Sequence, residues 1–464
     1  MKLPATIFRE YDIRGTVGDQ LTVDVARAIG QGFATLGWDR LGRAPKLAVG
    51  RDNRPSGADF AGGVQDGIAA AGGVAVDVGE LPTPALYFAT HTLQVDGGVQ
   101  VTGSHNPPEF NGFKLVLGPE PIYGAEIQGL RRLIEEGRAA ARKGGGRSQD
   151  RTVLERYRDA IVERNGPLPR RVKAVVDCGN GVSSLIAVDT LRRLGAEVIP
   201  LFCDSDGRFP NHHPDPTVLD NLRDLQAAVG REGAELGIAF DGDGDRIGAV
   251  DEHGRPVFGD QLLVLLGRDL AHRLKRRGEG GERHSVIFDV KCSEVLPREL
   301  TRVGLNPIMW KTGHSLIKQK MKETGAPLAG EMSGHMFFGG DWYGFDDALF
   351  AAARLLRYVA EQGGPLSRLL ADLPVTIATP EMRVDCPDER KFEIVERAAR
   401  HFAAKYPVST LDGVRITFAE GWGLLRASNT QPVLVLRFEA TTPAALTTYR
   451  TEVEDWLAAQ SVRA

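Results

Sequence analysis

The sequence predicts an α/β protein with largely parallel strands that ends in a unit of α+β character, and three features carry that expectation. Short β-branched runs alternate with longer helical patterns over most of the chain; KLAVG (46–50), GVQVT (98–102), KAVVD (173–177), LGIAF (236–240) and SVIFD (285–289) are examples. Several of these runs are apolar at consecutive positions, as expected of strands covered on both faces. Many lead into a loop containing Gly or Asp, where open α/β sheets present ligand groups. The C-terminal part changes rhythm. A helical pattern at 389–404 sets Phe392, Val395, Ala399 and Phe402 on one face, and strand-like GVRITFAE and VLVLRFEA follow. The final helix opens on Thr442 as N-cap and Pro443 in its first turn.

At roughly 100–200 residues per domain, the 464-residue chain has room for three or four domains. ARKGGGRSQD (141–150) reads as an exposed linker, a new hydrophobic pattern opens after 256, and EQGGPLS (361–367) breaks a helix. The expected units are 1–147, 148–250, 251–362 and 363–464. RRGEGGERH (276–284) is a surface loop inside the third.

With 57 basic and 61 acidic residues, the chain lacks the basic excess of a nucleic-acid binder. No apolar stretch approaches the ~20 residues of a spanning helix, and the start lacks a secretory pattern. Cys178, Cys203, Cys292 and Cys386 are scattered without a C-x-x-C pair and read as reduced thiols. The expectation is a soluble, cytoplasmic protein with no nucleic-acid or membrane partner.

The chemistry-bearing residues cluster in loops. Thr-Gly-Ser-His-Asn-Pro (102–107) follows a strand. Ser104 there needs a base or metal to attack, and His105 and Lys114 are near in sequence to supply charge or a proton path. The alternative is a capped turn in which Ser104 and Asn106 bond only backbone. Asp241-Gly-Asp243-Gly-Asp245-Arg246 follows LGIAF. Its three carboxylates can converge on one side of a turning backbone, which is repulsive without a hard cation such as Mg²⁺. The spacing imitates a calcium loop, but Arg246 stands where that loop needs glycine and the flanks are strands. Gly330-Glu331-Met332-Ser333-Gly334-His335 offers acceptors for sugar hydroxyls and a proton carrier, or is a polar turn. Arg426-Ala-Ser428-Asn429-Thr430 offers a bidentate donor and neutral donors for a phosphate, or is a surface turn. Arg14 reads equally as a phosphoryl ligand or an ion-pair partner. Lys318, Lys320 and Lys322 read as a solvated helix face, and His212-His213 as structural.

Together YDIRG (11–15), TGSHNP (102–107), DGDGDR (241–246), KTGHS (311–315), GEMSGH (330–335) and RASNT (426–430) resemble the α-D-phosphohexomutase family along the whole chain. The resemblance is closest to its bacterial phosphomannomutase/phosphoglucomutase branch, with Gly103 and Met332 favouring that branch over phosphoglucosamine mutases. It implies four domains around a central cleft: three similar α/β units with mixed sheets and a fourth like the TATA-binding protein. It implies an isomerase that interconverts hexose 1- and 6-phosphates through phospho-Ser104 and a 1,6-bisphosphate. Asp241, Asp243 and Asp245 would hold Mg²⁺ with the serine phosphate. Arg14, His105 and Lys114 would surround the phosphoryl group, Arg246 would stand close to the metal loop, and His335 or Lys114 would carry protons. Tyr11, Lys291, His314, Glu331 and Ser333 would contact the sugar phosphate, and Arg426, Ser428, Asn429 and Thr430 would clamp its distal phosphate. The implied ligands are mannose or glucose phosphates, with glucose 1,6-bisphosphate as activator and a monomeric enzyme.

Overall fold

The computed structural model describes residues 3–118, 120–429 and 431–460, which form four sheets with helices packed on them. In the first sheet the order is Ile13–Thr16, Phe110–Leu117, Gly97–Val101, Lys46–Arg51, Val74–Glu80 and Gly146–Gln149, with Glu120–Pro121 pairing Phe110–Leu117. Gly97–Val101 runs parallel to Lys46–Arg51 on one side and antiparallel to Phe110–Leu117 on the other. Pairing changes direction at that strand, and the loops at its carboxyl end and at that of Lys46–Arg51 lie side by side.

The second sheet pairs Leu236–Phe240 parallel with Lys173–Asp177 and antiparallel with Ile247–Asp251, so residues 241–246 form the connecting turn. The third sets Ser285–Asp289 between Asn306–Trp310 and Leu328–Gly330, all parallel, with Met336–Phe338 closing one edge antiparallel. The loops after Asp289, Trp310 and Gly330 therefore share one end of the sheet. The fourth sheet is antiparallel throughout and is backed by the helices Asp388–Ala403 and Pro443–Ala459. Three mixed α/β units and a C-terminal α+β unit are thus present, as the sequence led us to expect.

A continuous apolar core joins the second and third units and reaches the helix Thr83–Thr92 of the first. At its centre lies the helix Ala348–Gln362, buried on nearly every face. Asp347 caps that helix by accepting from Phe350 N at 2.9 Å, and Gly363 ends it at φ +68°. Arg415 ties the fourth unit to the third. It lies 3.7 Å over the Trp422 ring and donates to Cys292 O at 3.0 Å and Glu294 Oε1 at 2.7 Å. No helix among the described residues is long and apolar enough to cross a membrane.

Two expectations need correction. The stretch at 141–150 is not only a linker: Gly146–Gln149 adds a parallel edge strand beside Val74–Glu80. The helix Asp388–Ala403 buries Lys391, Ile394, Ala398 and Phe402, so its inner face is turned from the expected one and Phe392 is 53% exposed. Lys391 occupies the inner face. Its stem lies inside while its ammonium donates to Ser428 O at 2.6 Å and Gln431 O at 3.0 Å.

Candidate active site

The serine loop is held from below by residues far away in sequence. Asp52 Oδ2 accepts from Thr102 Oγ1 at 2.7 Å and Gly103 N at 3.2 Å. Arg54, fully buried, donates to Ser104 O at 2.8 Å, Pro107 O at 2.6 Å and Phe110 O at 2.8 Å. A Cβ at position 103 would come 2.5 Å from the guanidinium carbon, so glycine lets the clamp lie directly against the loop. Ser104 itself sits at φ +50°, a strained conformation for a residue with a side chain. Its Oγ donates to Asp241 Oδ2 at 3.1 Å and lies 3.2 Å from His105 Nδ1. Burial, then the charges of Arg246 and Arg14, hold the His105 imidazole well below its ordinary pKa, so it stands neutral beside the hydroxyl.

The three aspartates are completely buried and converge, each offering an oxygen within 4.8 Å of the others. Gly244 turns the chain at φ +75°, and the amides of Asp245 and Arg246 both donate to Asp241 Oδ1 at 3.1 Å. A Cβ at Gly242 would stand 2.4 Å from Ser104 O, so the two loops are in direct backbone contact. Lys114 Nζ donates to Asp243 Oδ2 at 2.7 Å and to Asp245 Oδ2 at 2.5 Å, and Thr83 Oγ1 donates to Asp243 Oδ2 at 2.5 Å. The remaining oxygens, Asp243 Oδ1 and Asp245 Oδ1, are buried without a hydrogen-bond partner. Orphaned carboxylate oxygens in a hard, all-oxygen donor set fit a divalent cation. Burial and then the Asp243 and Asp245 charges push the Asp241 carboxyl well up. Burial would raise Asp243 too, but Lys114 and Thr83 override it and hold that carboxyl far down.

Above this pair of loops opens a cleft of about 1260 Å³ whose walls come from all four units. The first unit supplies Tyr11, Arg14, Ser104, His105 and Lys114; the second supplies Arg246; the third supplies Lys291, His314, Glu331, Ser333 and His335; the fourth supplies Arg426, Ser428 and Asn429. Thr430 lies outside the described residues. Arg14 pairs with Asp12, as its ion-pair reading expects, and donates to Asn106 Oδ1 at 2.7 Å while it lines the cleft.

Several contacts bind the walls to one another. Tyr11 OH donates to Thr312 O at 2.9 Å and accepts from Asn429 Nδ2 at 3.1 Å, linking the first, third and fourth units. Glu331 Oε1 accepts from Gly313 N at 2.5 Å. Arg246 Nε donates to His335 Nε2 at 2.9 Å, and His335 Nδ1 lies 3.0 Å from Asp346 Oδ2. Lys291 Nζ lies 3.2 Å from Glu381, and Arg426 Nη2 3.1 Å from Asp412. Asp412 Oδ2 also accepts from Thr312 N at 3.0 Å, joining the fourth unit's arginine to the third unit's loop.

Sequence reasoning missed Asp52, Arg54, Thr83, Asp289, Asp346 and Asp412. Asp289 ties the third unit's loops, accepting from Met332 N at 3.0 Å and Thr312 Oγ1 at 2.9 Å. A charged Asp-Asn-Arg turn straight after the buried strand at 46–51 was the one available signal for the serine clamp. Lys318 is a correction: it is not on a solvated face but 12% exposed, donating to the buried Asp346 at 2.8 Å. His212 and His213 do diverge; His212 Nε2 lies 3.0 Å from Asp177, whereas His213 lines the cleft.

Family models for phosphoglucomutase/phosphomannomutase match in four successive pieces: alpha/beta/alpha domain I at residues 5–140, domain II at 155–254, domain III at 258–377 and the C-terminal domain at 381–455. The chain is 46% identical to a phosphomannomutase/phosphoglucomutase of Pseudomonas aeruginosa, over 98% of this chain and 96% of that one. It is 43% identical to a phosphoglucomutase of Neisseria gonorrhoeae, over 95% and 94% respectively. A crystal structure of a phosphoglucomutase/phosphomannomutase family protein from Burkholderia thailandensis superposes with a TM-score of 0.90 at 43% identity, covering 98% of each chain. A buried serine against a carboxylate cage, a cleft walled by four units and matches along the whole length agree: the chain belongs to the phosphoglucomutase/phosphomannomutase family of phosphohexomutases.

Proposed function

We propose that the protein reversibly interconverts hexose 1-phosphates and hexose 6-phosphates of the mannose and glucose series, with Ser104 as the carrier of the transferred phosphoryl group. The observation that carries the proposal is the 3.1 Å contact of Ser104 Oγ with Asp241, in a cleft that Ser104 and Arg426 both line. The reading takes residues 1–147 as the phosphoserine unit, 148–250 as the metal unit, 251–362 as the sugar unit and 363–464 as the phosphate-clamp unit. It also takes the enzyme as cytoplasmic and monomeric, with glucose 1,6-bisphosphate as activator.

In this mechanism Ser104 donates its phosphoryl group to the free hydroxyl of the bound sugar phosphate. The resulting bisphosphate turns over within the cleft and returns its other phosphoryl group to Ser104. Mg²⁺ held by Asp241, Asp243, Asp245 and a serine phosphate oxygen would neutralise charge on the transferring group. Arg14, His105 and Lys114 face the same group and offset the charge that builds on it. His335 or Lys114 takes the hydroxyl proton; for His335 this requires Nε2 to be released from the Arg246 Nε–H that it accepts at 2.9 Å. Glu331 and Ser333 accept from ring hydroxyls. Arg426, Ser428, Asn429 and Thr430 hold the phosphate that is not reacting, in either orientation of the sugar. Lys291, His314 and Tyr11 complete the wall.

The test is a coupled assay on mannose 1-phosphate and glucose 1-phosphate, with and without Mg²⁺ and glucose 1,6-bisphosphate. Turnover on both sugars that needs Mg²⁺ and disappears in Ser104→Ala supports the mechanism. Release of inorganic phosphate with no need for bisphosphate would replace it with a phosphatase.

A further inference from the structure

The strands Lys173–Asp177 and Glu197–Leu201 run in parallel, with Asp177 opposite Leu201. Cys178 and Cys203 follow their carboxyl ends, and the two sulfurs stand 3.0 Å apart. Both are free thiols, and neither lines the cleft. A disulfide needs its sulfurs at about 2.05 Å and its Cβ atoms about 3.5–4.5 Å apart. From 3.0 Å, closing the bond brings the two sulfurs together by only about 1 Å.

The two thiols are unequal in the way such chemistry requires. Cys178 is fully buried, and the contact with Cys203 together with burial pushes its thiol well up. Cys203 is half-buried, and the contact with Cys178 holds its thiol below the ordinary value. The less buried of the two sulfurs thus has a resolving sulfur directly against it.

The loops that carry the pair also buttress the catalytic loops. Asn180 O accepts from Asn53 Nδ2 at 2.7 Å, and Val182 N donates to Gly242 O at 3.1 Å. A Cβ at Gly207 would stand 2.2 Å from Asn53 O, beside the arginine that clamps the serine loop. Asn180 and Phe202 adopt left-handed backbone conformations at φ +57° and +49°, so the loops are held in one strained arrangement.

We propose that Cys178 and Cys203 are a modification site, a reversible intrachain disulfide made by low-molecular-weight disulfides, and that its closure slows phosphoryl transfer. The thiolate of Cys203 attacks one sulfur of glutathione disulfide and expels one glutathione thiolate. Cys178 then gives up its proton and attacks the Cys203 sulfur, expelling the glutathione bound there. Two protein thiols are oxidised and one glutathione disulfide is reduced to two glutathiones. A shift of about 1 Å beneath a catalytic loop is enough to lower turnover about 10-fold or more.

The rate effect rests on the mutase reading; the bond itself does not. The full-length protein is treated with glutathione disulfide, quenched in acid, denatured, alkylated and mapped by mass spectrometry, while turnover of glucose 1-phosphate is followed in parallel. The expected result is a linked Cys178–Cys203 peptide, with turnover about 10-fold down and restored by dithiothreitol. Cys203→Ser keeps the untreated rate and resists the treatment. Alkylation of all four cysteines, or a stable glutathione adduct on Cys203, overturns the site. A linked pair at unchanged turnover, or equal inactivation of Cys203→Ser, overturns the rate effect. An untreated protein with no mutase turnover would count against the mutase reading alone, because the peptide map is read without it.

Discussion

Arg54 Nη2 donates to the carbonyl oxygen of Ser104 at 2.8 Å, so the backbone of the serine loop is fixed by a side chain fifty residues earlier. The same guanidinium holds the carbonyls of Pro107 and Phe110 and pairs with the buried Asp52. Replacing it with methionine removes those donors and leaves the Asp52 charge without its partner. Breaking a buried pair in this way costs about 3–5 kcal/mol. Arg54→Met is therefore expected to lower the thermal midpoint and to abolish phosphorylation of Ser104, read by mass spectrometry after incubation with glucose 1,6-bisphosphate. Arg54→Lys fares little better, since one ammonium cannot reproduce a planar fork that serves several carbonyls. A variant that folds with wild-type stability and accepts the phosphoryl group normally would remove Arg54 from this role.

Arg426, in the proposed phosphate clamp, is paired in the structure with a carboxylate, Asp412, 3.1 Å from its Nη2. A sugar phosphate entering the cleft offers the same fork a bidentate anion. Arg426→Lys keeps the charge but loses the fork, a loss of about 1.5–3 kcal/mol for a charged hydrogen-bonded contact. The expected outcome is a KM about 10- to 100-fold higher, with kcat less affected, in steady-state assays on glucose 1-phosphate. A change confined to kcat would place Arg426 at the reacting phosphoryl group instead of the distal one.

The motifs were legible because their chemistry is local. Ser104, Asp241 and Glu331 sit in loops directly after strands that the hydrophobic runs mark, and turn-forming glycines surround them. The supports were not legible, because each reaches its target across the sheet topology: Asp52 to Thr102, Thr83 to Asp243, Asp346 to His335. A lone aspartate or threonine after a strand carries no sign of which loop will be folded against it. The helix Asp388–Ala403 shows a different limit. The apolar spacing puts Phe392 on the core face, yet Lys391 is buried there instead, its ammonium bound to the carbonyls of Ser428 and Gln431. Lys318 went astray for the same reason, since its buried partner Asp346 lies on another loop.

Asp347 gives the fold a pH dependence of its own. Its carboxylate is buried among Tyr157, Trp342 and the helix N-terminus. Burial raises its pKa to about 7 even though the Phe350 amide, the Tyr157 hydroxyl and the Trp342 indole all work to lower it. The folded protein then binds a proton that the unfolded chain, with an ordinary carboxyl near 3.8, has already lost. This site's contribution to stability is present in full below about pH 4, falls as pH rises to about 7 and is constant above it. At about 1.4 kcal/mol per unit the loss is on the order of 4 kcal/mol. Asp347→Asn does not titrate. The stability advantage of wild type over this variant should therefore shrink between pH 5 and pH 8, read as the difference in thermal midpoint. A difference that stays flat over that range argues that Asp347 is ionised throughout.

Lys114 offers the sharpest test of the carboxylate cage. Its ammonium lies 2.7 Å from Asp243 and 2.5 Å from Asp245, both fully buried, and these charges keep it protonated far above its ordinary range despite burial. Lys114→Met leaves two buried carboxylates without their cation, a change that costs about 3–5 kcal/mol in the metal-free protein. A divalent cation binds only the folded cage and stabilises it by mass action. With the competing ammonium gone, that stabilisation should be larger in the variant than in wild type. Thermal melts of both proteins in EDTA and in saturating Mg²⁺ measure the difference directly. The expected pattern is a Lys114→Met protein that melts well below wild type in EDTA and recovers much of the gap in Mg²⁺. Turnover stays low in both conditions, because a charge facing the transferred phosphoryl group is missing. Equal Mg²⁺-induced shifts in the two proteins would mean that ammonium and metal do not compete for the same oxygens, the ammonium keeping the two Oδ2 atoms and the metal using Asp241 with Asp243 Oδ1 and Asp245 Oδ1.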